Sequence, residues 1–361
     1  MTKNVYVHIP FCKSKCNYCS FISFVDLELK DAYLDALKMQ INAEYKSEKI
    51  NTLYFGGGTP SLLTIDEIQS LIDLFYLEKN TEITVEVNPD SVNLEYLTQL
   101  KKLGVNRLSI GAQTFDDEIL KIIGRRHDSR QIVHAVKFAK EAGFENISLD
   151  LIYGLPKQDL KGFEADLQQA IKLDVQHISL YGLKIDEGCY FYDNQPNNLP
   201  DSDIQADMYL KAVEVLKDNG FVHYEISNFA KQGFESKHNL NYWDNNTYYG
   251  FGCAASGYVN KVRYTNQSNL EKYIQNPLSK ISEQKLTEQE ILEEAIFLGL
   301  RKIAGINIEE INKKFRIDFE QKYAGILQKY AEYFIKTPKG YALTLNGILI
   351  SNEILSEFIS D

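Results

Sequence analysis

Short runs of β-branched, aromatic and other apolar residues alternate with longer segments of helical spacing through the first 183 residues of the chain. A loop that holds Gly, Pro or polar residues separates each run from the segment that follows it. The runs predict six strands, at 4–9, 52–55, 82–87, 107–110, 147–152 and 177–181. The longer segments predict helices near 27–47, 64–78, 91–103, 128–142, 159–173 and 203–219. Strands that alternate with helices in this way indicate parallel βα units that close at least partly into a barrel.

The predicted strands share one further property, because polar residues stand at or near the C-terminal end of each. In a parallel barrel these ends meet at one mouth, where active sites lie. The polar residues are His8 with the cysteine loop after it, Gly56-Gly57-Gly58-Thr59-Pro60, Glu86, Asn88, Gln113, Asp150, Tyr181 and Lys184. The arrangement predicts that every strand contributes to one site.

The pattern changes after about residue 220 and again near residue 285. Aromatic and Gly-rich segments between these points predict extra strands and loops laid against the barrel. Helical spacing then returns at 288–302, 308–315 and 319–333, and a hairpin around Pro338-Lys339-Gly340 and a last helix from about 348 follow. We therefore predict an α/β chain of three parts: a partial (β/α)6 barrel over 1–220, an accessory segment over 221–284, and a winged-helix-like α+β domain over 285–361.

Composition and charge narrow the class of protein. The 361 residues include 39 Lys+Arg and 50 Asp+Glu, so the formal net charge is −11 at pH 7. That excess of acid argues against a dedicated nucleic-acid binder, which needs a clustered positive surface, and we expect no nucleic acid as a partner. No run approaches the roughly 18 apolar residues of a membrane helix, and the N-terminus lacks the apolar stretch of a signal peptide. We expect a cytoplasmic protein.

Three of the five cysteines, Cys12, Cys16 and Cys19, lie close together, while Cys189 and Cys253 stand alone. An isolated cysteine is usually a small buried hydrophobe, which is our interpretation of the last two. The spacing C-x3-C-x2-C lets three thiolates hold three irons of a [4Fe–4S] cluster and leaves the fourth iron open. A zinc site is the weaker alternative, because structural zinc takes four ligands, usually as two separated pairs.

The cysteine loop resembles the signature of radical S-adenosylmethionine (SAM) proteins, because it follows the first strand directly and Tyr18 precedes its last cysteine. The loop at 56–60 resembles the GGGTP segment of the same superfamily, in which backbone groups approach the methionine part of SAM closely. Glycine permits that approach because it has no Cβ. The resemblance implies that the amino and carboxylate groups of SAM chelate the open iron, and that reduction of the cluster can cleave the sulfonium bond.

Nearly the whole chain is similar to the coproporphyrinogen-oxidase-like branch, which contains oxygen-independent coproporphyrinogen III oxidases and HemW-type haem chaperones. The segments that carry the similarity are 5–12, 86–89, 107–113, 124–127 and 150–156. The resemblance implies that the SAM contacts are Tyr6, Tyr18, Gly57, Gly58, Thr59, Glu86, Gln113, Arg125 and Asp150, and that Cys12, Cys16 and Cys19 hold the cluster. The two carboxylates suit the SAM amino group or ribose hydroxyls, and Arg125 suits a carboxylate.

Three features favour the chaperones over the oxidases within this branch. The oxidases have a fourth cysteine at the position of Phe21, and an N-terminal extension before their first strand, which here begins at about Asn4. The third feature is the segment His238-Asn239-Leu240-Asn241-Tyr242-Trp243, which matches the HNxxYW motif of the chaperones. Neutral imidazole is a common axial ligand of haem iron, so the resemblance implies that His238 binds haem. The alternative is that His238 is a hydrogen-bonding residue of an Asn-rich loop.

The leading prediction is a haem chaperone that carries a [4Fe–4S] cluster and SAM and transfers haem to acceptor hemoproteins. Respiratory-chain proteins at the membrane surface are candidate acceptors, which would place the chaperone at the inner face of the membrane, and a homodimer is one option for its assembly. The alternative is an oxygen-independent coproporphyrinogen III oxidase that decarboxylates propionate side chains by radical chemistry. Radical modification of RNA is a third hypothesis, and the net charge of −11 counts against it.

Overall fold

Six parallel strands form the centre of the fold, where the hydrophobic pattern predicts them. The computed structural model describes residues 3–359. The strands are β1 (Asn4–Ile9), β2 (Ile50–Gly57), β3 (Leu77–Val87), β4 (Arg107–Gln113), β5 (Ile147–Tyr153) and β6 (His177–Gly182). Each strand pairs in parallel with the next one along the chain. The βα alternation therefore builds one continuous parallel sheet.

Helices connect these strands as the crossovers of βα units. They are α1 (Lys30–Glu44), α2 (Ile65–Ile72), α3 (Leu94–Lys102), α4 (Asp117–Ile122), α5 (Ser129–Glu141) and α6 (Leu160–Lys172), with α7 (Tyr190–Asp193) and α8 (Ser202–Asp218) after β6, and 3-10 turns at Pro60–Leu62 and Pro89–Ser91. Polar caps determine where several helices begin. Thr64 and Glu67 form a capping box on α2, and Asp128 and Gln131 form one on α5.

Each of the six strands has an apolar side and a polar side. Apolar side chains such as Val7, Phe55 and Leu149 are fully buried in the main hydrophobic core, together with the inner faces of the helices. Successive side chains of a strand point to opposite faces, so the residues between them face the inside of the barrel. These interior residues are mostly polar: Asn4, Tyr6, His8, Thr52, Tyr54, Glu82, Thr84, Glu86, Arg107, Ser109, Gln113, Ser148, Asp150, His177, Ser179 and Tyr181.

Strands from the accessory segment extend the sheet at both edges. They are β7 (Val222–Glu225), β8 (Asn228–Ala230) and β9 (Tyr249–Phe251), and the complete order is β7-β8-β6-β5-β4-β3-β2-β1-β9. The sequence predicts strands laid against the barrel, whereas these three hydrogen-bond within its sheet. The reason is that a partial barrel leaves unpaired backbone groups on the outer edges of β1 and β6. Helix α9 (Lys237–Trp243) lies in the connection between β8 and β9 and contacts β2.

Two small sheets follow in the last third of the chain. The first contains β10 (Ser256–Val259), β11 (Val262–Asn266) and β12 (Lys280–Lys285), with α10 (Leu270–Gln275) between its last two strands. The second has the order β13-β15-β14, with strands β13 (Ile306–Asn307), β14 (Phe334–Thr337) and β15 (Gly340–Leu343). The helices of this part of the chain are α11 (Glu288–Gly299), α12 (Ile308–Phe315), α13 (Phe319–Lys322), α14 (Ala324–Lys329), α15 (Leu345–Leu349) and α16 (Ser351–Ser356), with a 3-10 turn at Ala331–Tyr333.

The α/β class, with a partial barrel and a C-terminal α+β part, is confirmed. The single helix predicted over 319–333 is broken into shorter pieces, because Tyr323 and Tyr330 have φ near −110° at the junctions and are both buried. The domain boundaries near 220 and 284 stay a prediction. Across residues 3–359, no helix combines the length and the apolar character needed to cross a membrane.

Candidate functional site

A cavity of about 570 Å³ opens at the C-terminal ends of the parallel strands. The loop after β1, the glycine loop after β2 and the ends of β3 to β6 form its walls. Its volume lies in the usual range for small-molecule sites, roughly 300–1,000 Å³. The predicted site residues on these walls are Cys12, Cys16, Tyr18, Cys19, Gly57, Gly58, Thr59, Glu86, Gln113, Arg125 and Asp150. The structure therefore brings the polar strand ends to one mouth, as the sequence predicts.

The cysteine loop is fixed at both ends and in its middle by backbone hydrogen bonds. The N–H of Cys12 donates to the carbonyl of Phe24 at 2.9 Å, and the N–H of Phe24 donates to the carbonyl of Pro10 at 2.7 Å. Between these ends, the N–H of Asn17 donates to the carbonyl of Ile123 at 2.9 Å. The three thiols are therefore presented to the cavity by a loop that is tied to its neighbours.

Three thiols on one loop are a donor set that suits three irons of an iron–sulfur cluster. Within the described part of the chain, no three His, Cys, Asp or Glu side chains converge closely enough to hold one metal ion. Each thiolate of a [4Fe–4S] site binds a different iron, so cluster ligands lie farther apart than the ligands of one zinc ion. Burial raises the pKa of the Cys12 thiol and raises that of Cys19 to about 11, so iron must displace protons when it binds.

Glycines bring the backbone after β2 against the cysteine loop. A Cβ on Gly58 would lie 2.6 Å from the Phe11 carbonyl oxygen and 3.0 Å from Cys12 Sγ. Gly57 has φ of +114°, and a Cβ there would lie 2.5 Å from the His8 ring. The hydroxyl of Thr59 also reaches Cys12 Sγ at 3.6 Å. The loop therefore packs where no other residue type fits, which agrees with the close backbone approach that the resemblance implies.

His8 supports the cysteine loop from beneath. Its Nδ1 shares a hydrogen bond of 2.9 Å with the Tyr6 hydroxyl, and its Nε2 shares one of 3.1 Å with the Ile22 carbonyl. The Tyr33 hydroxyl donates to the His8 carbonyl at 2.5 Å. Burial lowers the pKa of His8, so the ring is neutral and its contacts are those of a structural residue.

Two carboxylates lie in the cavity wall with different partners. Glu86 accepts hydrogen bonds from the Tyr54 hydroxyl at 2.8 Å and from the Gly57 N–H at 3.0 Å. Burial nevertheless raises the pKa of Glu86 to about 7. Both oxygens of Asp150 accept from the Ser109 hydroxyl at 3.0 Å, and burial raises the pKa of Asp150 as well. A cationic group placed between these side chains would favour their ionised forms, which fits the ammonium group of SAM.

Arg125 joins the far wall of the cavity to the cysteine loop. One terminal nitrogen, Nη2, donates to Asn88 Oδ1 and to the Gly111 carbonyl, both at 2.7 Å. The other, Nη1, reaches Cys16 Sγ at 3.6 Å. Its Nε is buried and has no partner among the described residues. An unpaired buried N–H is costly, so this guanidinium can still accept a carboxylate ligand.

Gln113 stands at the C-terminal end of β4 in a strained conformation. Its φ is +68°, in the left-handed region that residues other than glycine seldom adopt. The register between β4 and β5 shifts next to it, between Gly111 and Gln113. Strain of this kind costs roughly 1–3 kcal/mol and clusters at ligand sites. Its position on the cavity wall agrees with the predicted role in cofactor binding.

Two predicted ligand contacts lie outside the cavity wall. Tyr6 stands below it, with its ring 6.0 Å from that of Tyr54 and its hydroxyl on His8. His238 lies on α9, is 1% exposed, and stacks on Tyr54 with ring centroids 4.9 Å apart. Burial lowers the pKa of His238 to about 3, so its ring is neutral.

Both ring nitrogens of His238 have partners. Thr52 Oγ1 donates to Asn4 Oδ1 and lies 2.8 Å from Nδ1, so Nδ1 carries the proton. The Nε2 lone pair therefore accepts from the Tyr242 hydroxyl at 2.8 Å. No lone pair of His238 is free for haem iron in this conformation.

Several residues that the sequence motifs do not identify form the lower part of the cavity. They are Tyr54, Arg107, Ser109 and Ser179. Arg107 is 1% exposed, and the attraction of Glu82 and other acidic groups raises the pKa of its guanidinium. The signal that identifies these residues is the two-residue alternation of each strand, which places them on the same face as Glu86 and Asp150.

Known proteins resemble the chain over its whole length. The Radical SAM superfamily model matches residues 6–170, and the HemN C-terminal domain model matches residues 286–350. The Heme chaperone HemW of Lactococcus lactis is 37% identical over 99% of this chain and 97% of its own. The Heme chaperone HemW of Bacillus subtilis is 37% identical over 99% of this chain and 100% of its own. Among solved structures, the Escherichia coli coproporphyrinogen III oxidase HemN has a TM-score of 0.88 at 25% identity, and the match covers 99% of this chain and 90% of that one.

Proposed function

Because this chain belongs to the HemW heme chaperone family, we propose that it binds haem and transfers it to acceptor hemoproteins, and that it carries a [4Fe–4S] cluster and SAM. The identity of 37% to a Heme chaperone HemW over 99% of the chain carries this proposal. The cavity supports the cofactor part, since three thiols, the glycine loop and two buried carboxylates face one space. The cluster would be held by Cys12, Cys16 and Cys19.

A cluster with one open iron supplies one-electron reduction of the bound sulfonium compound. The residues of this chain bind and orient SAM. Arg125 orients a carboxylate through its free Nε and at the same time positions the Cys16 thiolate. Glu86 and Asp150 receive cationic and hydroxyl groups of SAM, in a wall where burial raises the pKa of both carboxyl groups. Transfer of haem to an acceptor makes or breaks no bond of the porphyrin.

The accessibility of His238 determines whether it can bind the haem iron. The resemblance implies His238 as the ligand, and this stays a prediction. In the described conformation the Tyr242 hydroxyl occupies Nε2, and α9 is held by bonds from the Lys237 and His238 N–H groups to the Glu82 carboxylate. Haem therefore reaches His238 only if α9 leaves the barrel floor and the bond to Tyr242 breaks.

The location and partners follow from the same proposal. We expect the chain to work in the cytoplasm, and its acceptors to include respiratory-chain hemoproteins, which would bring it to the inner face of the membrane. A homodimer is one option for its assembly. Sedimentation of the protein with and without haem, and with and without anionic vesicles, tests both expectations.

An anaerobic haem titration of the cluster-reconstituted protein tests the function. Saturable uptake near one haem per chain, followed by transfer to an apo-hemoprotein, is the expected result. His238→Ala and Tyr242→Phe are titrated alongside. If His238 is the ligand, His238→Ala changes the Soret spectrum, and Tyr242→Phe, which frees Nε2, tightens binding. Failure of the wild-type protein to take up haem would contradict the proposal.

The coproporphyrinogen III oxidase is the second candidate, because the TM-score of 0.88 to HemN shows that the chain has the fold of that enzyme. Phe21 stands where the oxidases have a fourth cysteine, which favours the chaperone. Incubation with coproporphyrinogen III, SAM and a reductant under argon separates the two functions. Conversion of propionate to vinyl groups over many turnovers would establish the enzyme instead.

A further inference from the structure

We propose that haem docks across the mouth of the SAM cavity, with its macrocycle on Phe21 and Tyr181 and its propionates at Lys15 and Lys184. This inference rests on the proposed function, since it names where the haem of that function binds. All four residues line the same cavity. Lys15 and Phe21 come from the cysteine loop, whereas Tyr181 and Lys184 come from β6 and the loop after it, so they frame the opening from two sides.

The first observation is an apolar surface at this opening. The side chain of Phe21 is 67% exposed and that of Tyr181 is 45% exposed. Large apolar side chains grouped at a cavity entrance mark a binding surface, and aromatic rings pack well against another flat ring system. A porphyrin offers such a ring system.

The second observation is the charge on the same rim. Lys15 Nζ donates to the Gly188 carbonyl at 3.4 Å, and Lys184 pairs with Asp186 at 2.9 Å with its side chain 80% exposed. Exposed pairs of this kind contribute little and exchange easily. Two cations beside an apolar opening, on a chain with net charge −11, complement a flat apolar ligand with two carboxylates.

The third observation concerns the iron. Among the described residues, no histidine lines this cavity, and His238 lies below its floor. Haem at the mouth would therefore be held through its macrocycle and its propionates, and its iron would receive no histidine ligand from the cavity wall. Haem bound in this way can be transferred to an acceptor protein that supplies a stronger axial ligand. Haem in this position would also cover the SAM below it, so haem should slow the release of SAM.

The test is a hemin titration of full-length, cluster-reconstituted protein loaded with SAM. We compare Phe21→Ala and the double variant Lys15→Glu/Lys184→Glu with the wild-type protein. Matched controls are Ile281→Ala and Lys285→Glu, which lie on the exposed strand β12 and do not line the cavity. We expect each rim variant to weaken hemin binding about tenfold or more and the controls to bind as the wild type does. We also expect hemin to slow SAM release in the wild type but not in Phe21→Ala.

Two outcomes would overturn the proposal, and they are distinguishable. Rim variants that bind hemin as tightly as the wild type, while His238→Ala with a retained fold loses it, would place haem at α9 and leave the proposed function intact. A wild-type protein that takes up no hemin would refute the proposed function, and this inference with it. Because the substituted side chains are exposed, the iron content and circular dichroism of each variant should match the wild type, which separates lost binding from lost folding.

Discussion

Replacement of Glu86 by Gln tests whether this partly buried carboxyl group keeps its proton in the folded, cofactor-free protein. Burial raises its pKa from 4.5 to about 7, against the opposing hydrogen bonds from Tyr54 and Gly57. The folded chain then holds a proton that the unfolded chain loses near pH 4.5, so stability falls as the pH rises toward 7. At about 1.4 kcal/mol per pH unit, the loss is about 3 kcal/mol by pH 7. The Gln side chain does not titrate, so the stability of Glu86→Gln should not fall in this way between pH 4.5 and 7.

Urea unfolding of wild type and Glu86→Gln between pH 4.5 and 8 measures the effect. The free energy of unfolding of the variant, relative to the wild type, should rise with pH by about 3 kcal/mol and level off above pH 7. Glu187→Gln, which makes the same chemical change at an exposed position outside the cavity wall, is the matched control. Curves for Glu86→Gln and wild type that stay parallel over this range would refute the reasoning, because they would show that Glu86 titrates alike in both states.

Two further predictions concern the cysteine loop. Gly58→Ala should lower the amount of iron retained after reconstitution and destabilise the fold by about 1–3 kcal/mol, because the new Cβ would lie 2.6 Å from a backbone oxygen. Gly325→Ala is the control, since no atom lies within 4 Å of a Cβ at that position, and it should have neither effect. Cys16→Ala should abolish stable cluster binding, measured as iron and sulfide per chain, whereas Cys189→Ala, at a buried position that does not line the cavity, should retain it. Equal iron in Gly58→Ala and Gly325→Ala, or a full cluster in Cys16→Ala, would contradict these expectations.

The six barrel strands could be predicted from the sequence because each is a short apolar run with a polar residue at its end. The placement of the cysteine and glycine loops at one mouth follows from the parallel topology alone. The interior residue Arg107 was missed although the same strands contain the signal. Its position becomes evident only when each strand is divided into two faces, since a buried cation has no local pattern of its own.

The environment of His238 could not be predicted, because most of the contacts that determine it are distant in sequence. Thr52 and Tyr54 come from β2, and the N–H group of His238 donates to Glu82 in the middle of β3. The HNxxYW spacing shows that Tyr242 can reach His238 on a helix, but not that the helix lies against the barrel floor. The positions of β7 and β9 at opposite edges of the sheet are non-local in the same way.

The sheet order has a consequence for synthesis on the ribosome. Strand β1 is the first to emerge, yet one of its two partners is β9, and Val5 pairs with Tyr249. Until residue 251 has left the exit tunnel, the edge of β1 is unpaired and α9 has no complete sheet to rest on. A nascent chain in this state has an open strand edge, which invites association with other chains. The N-terminal cysteine loop is therefore made early but gains its permanent surroundings late, so cluster insertion into the finished barrel must follow translation of at least the first 251 residues.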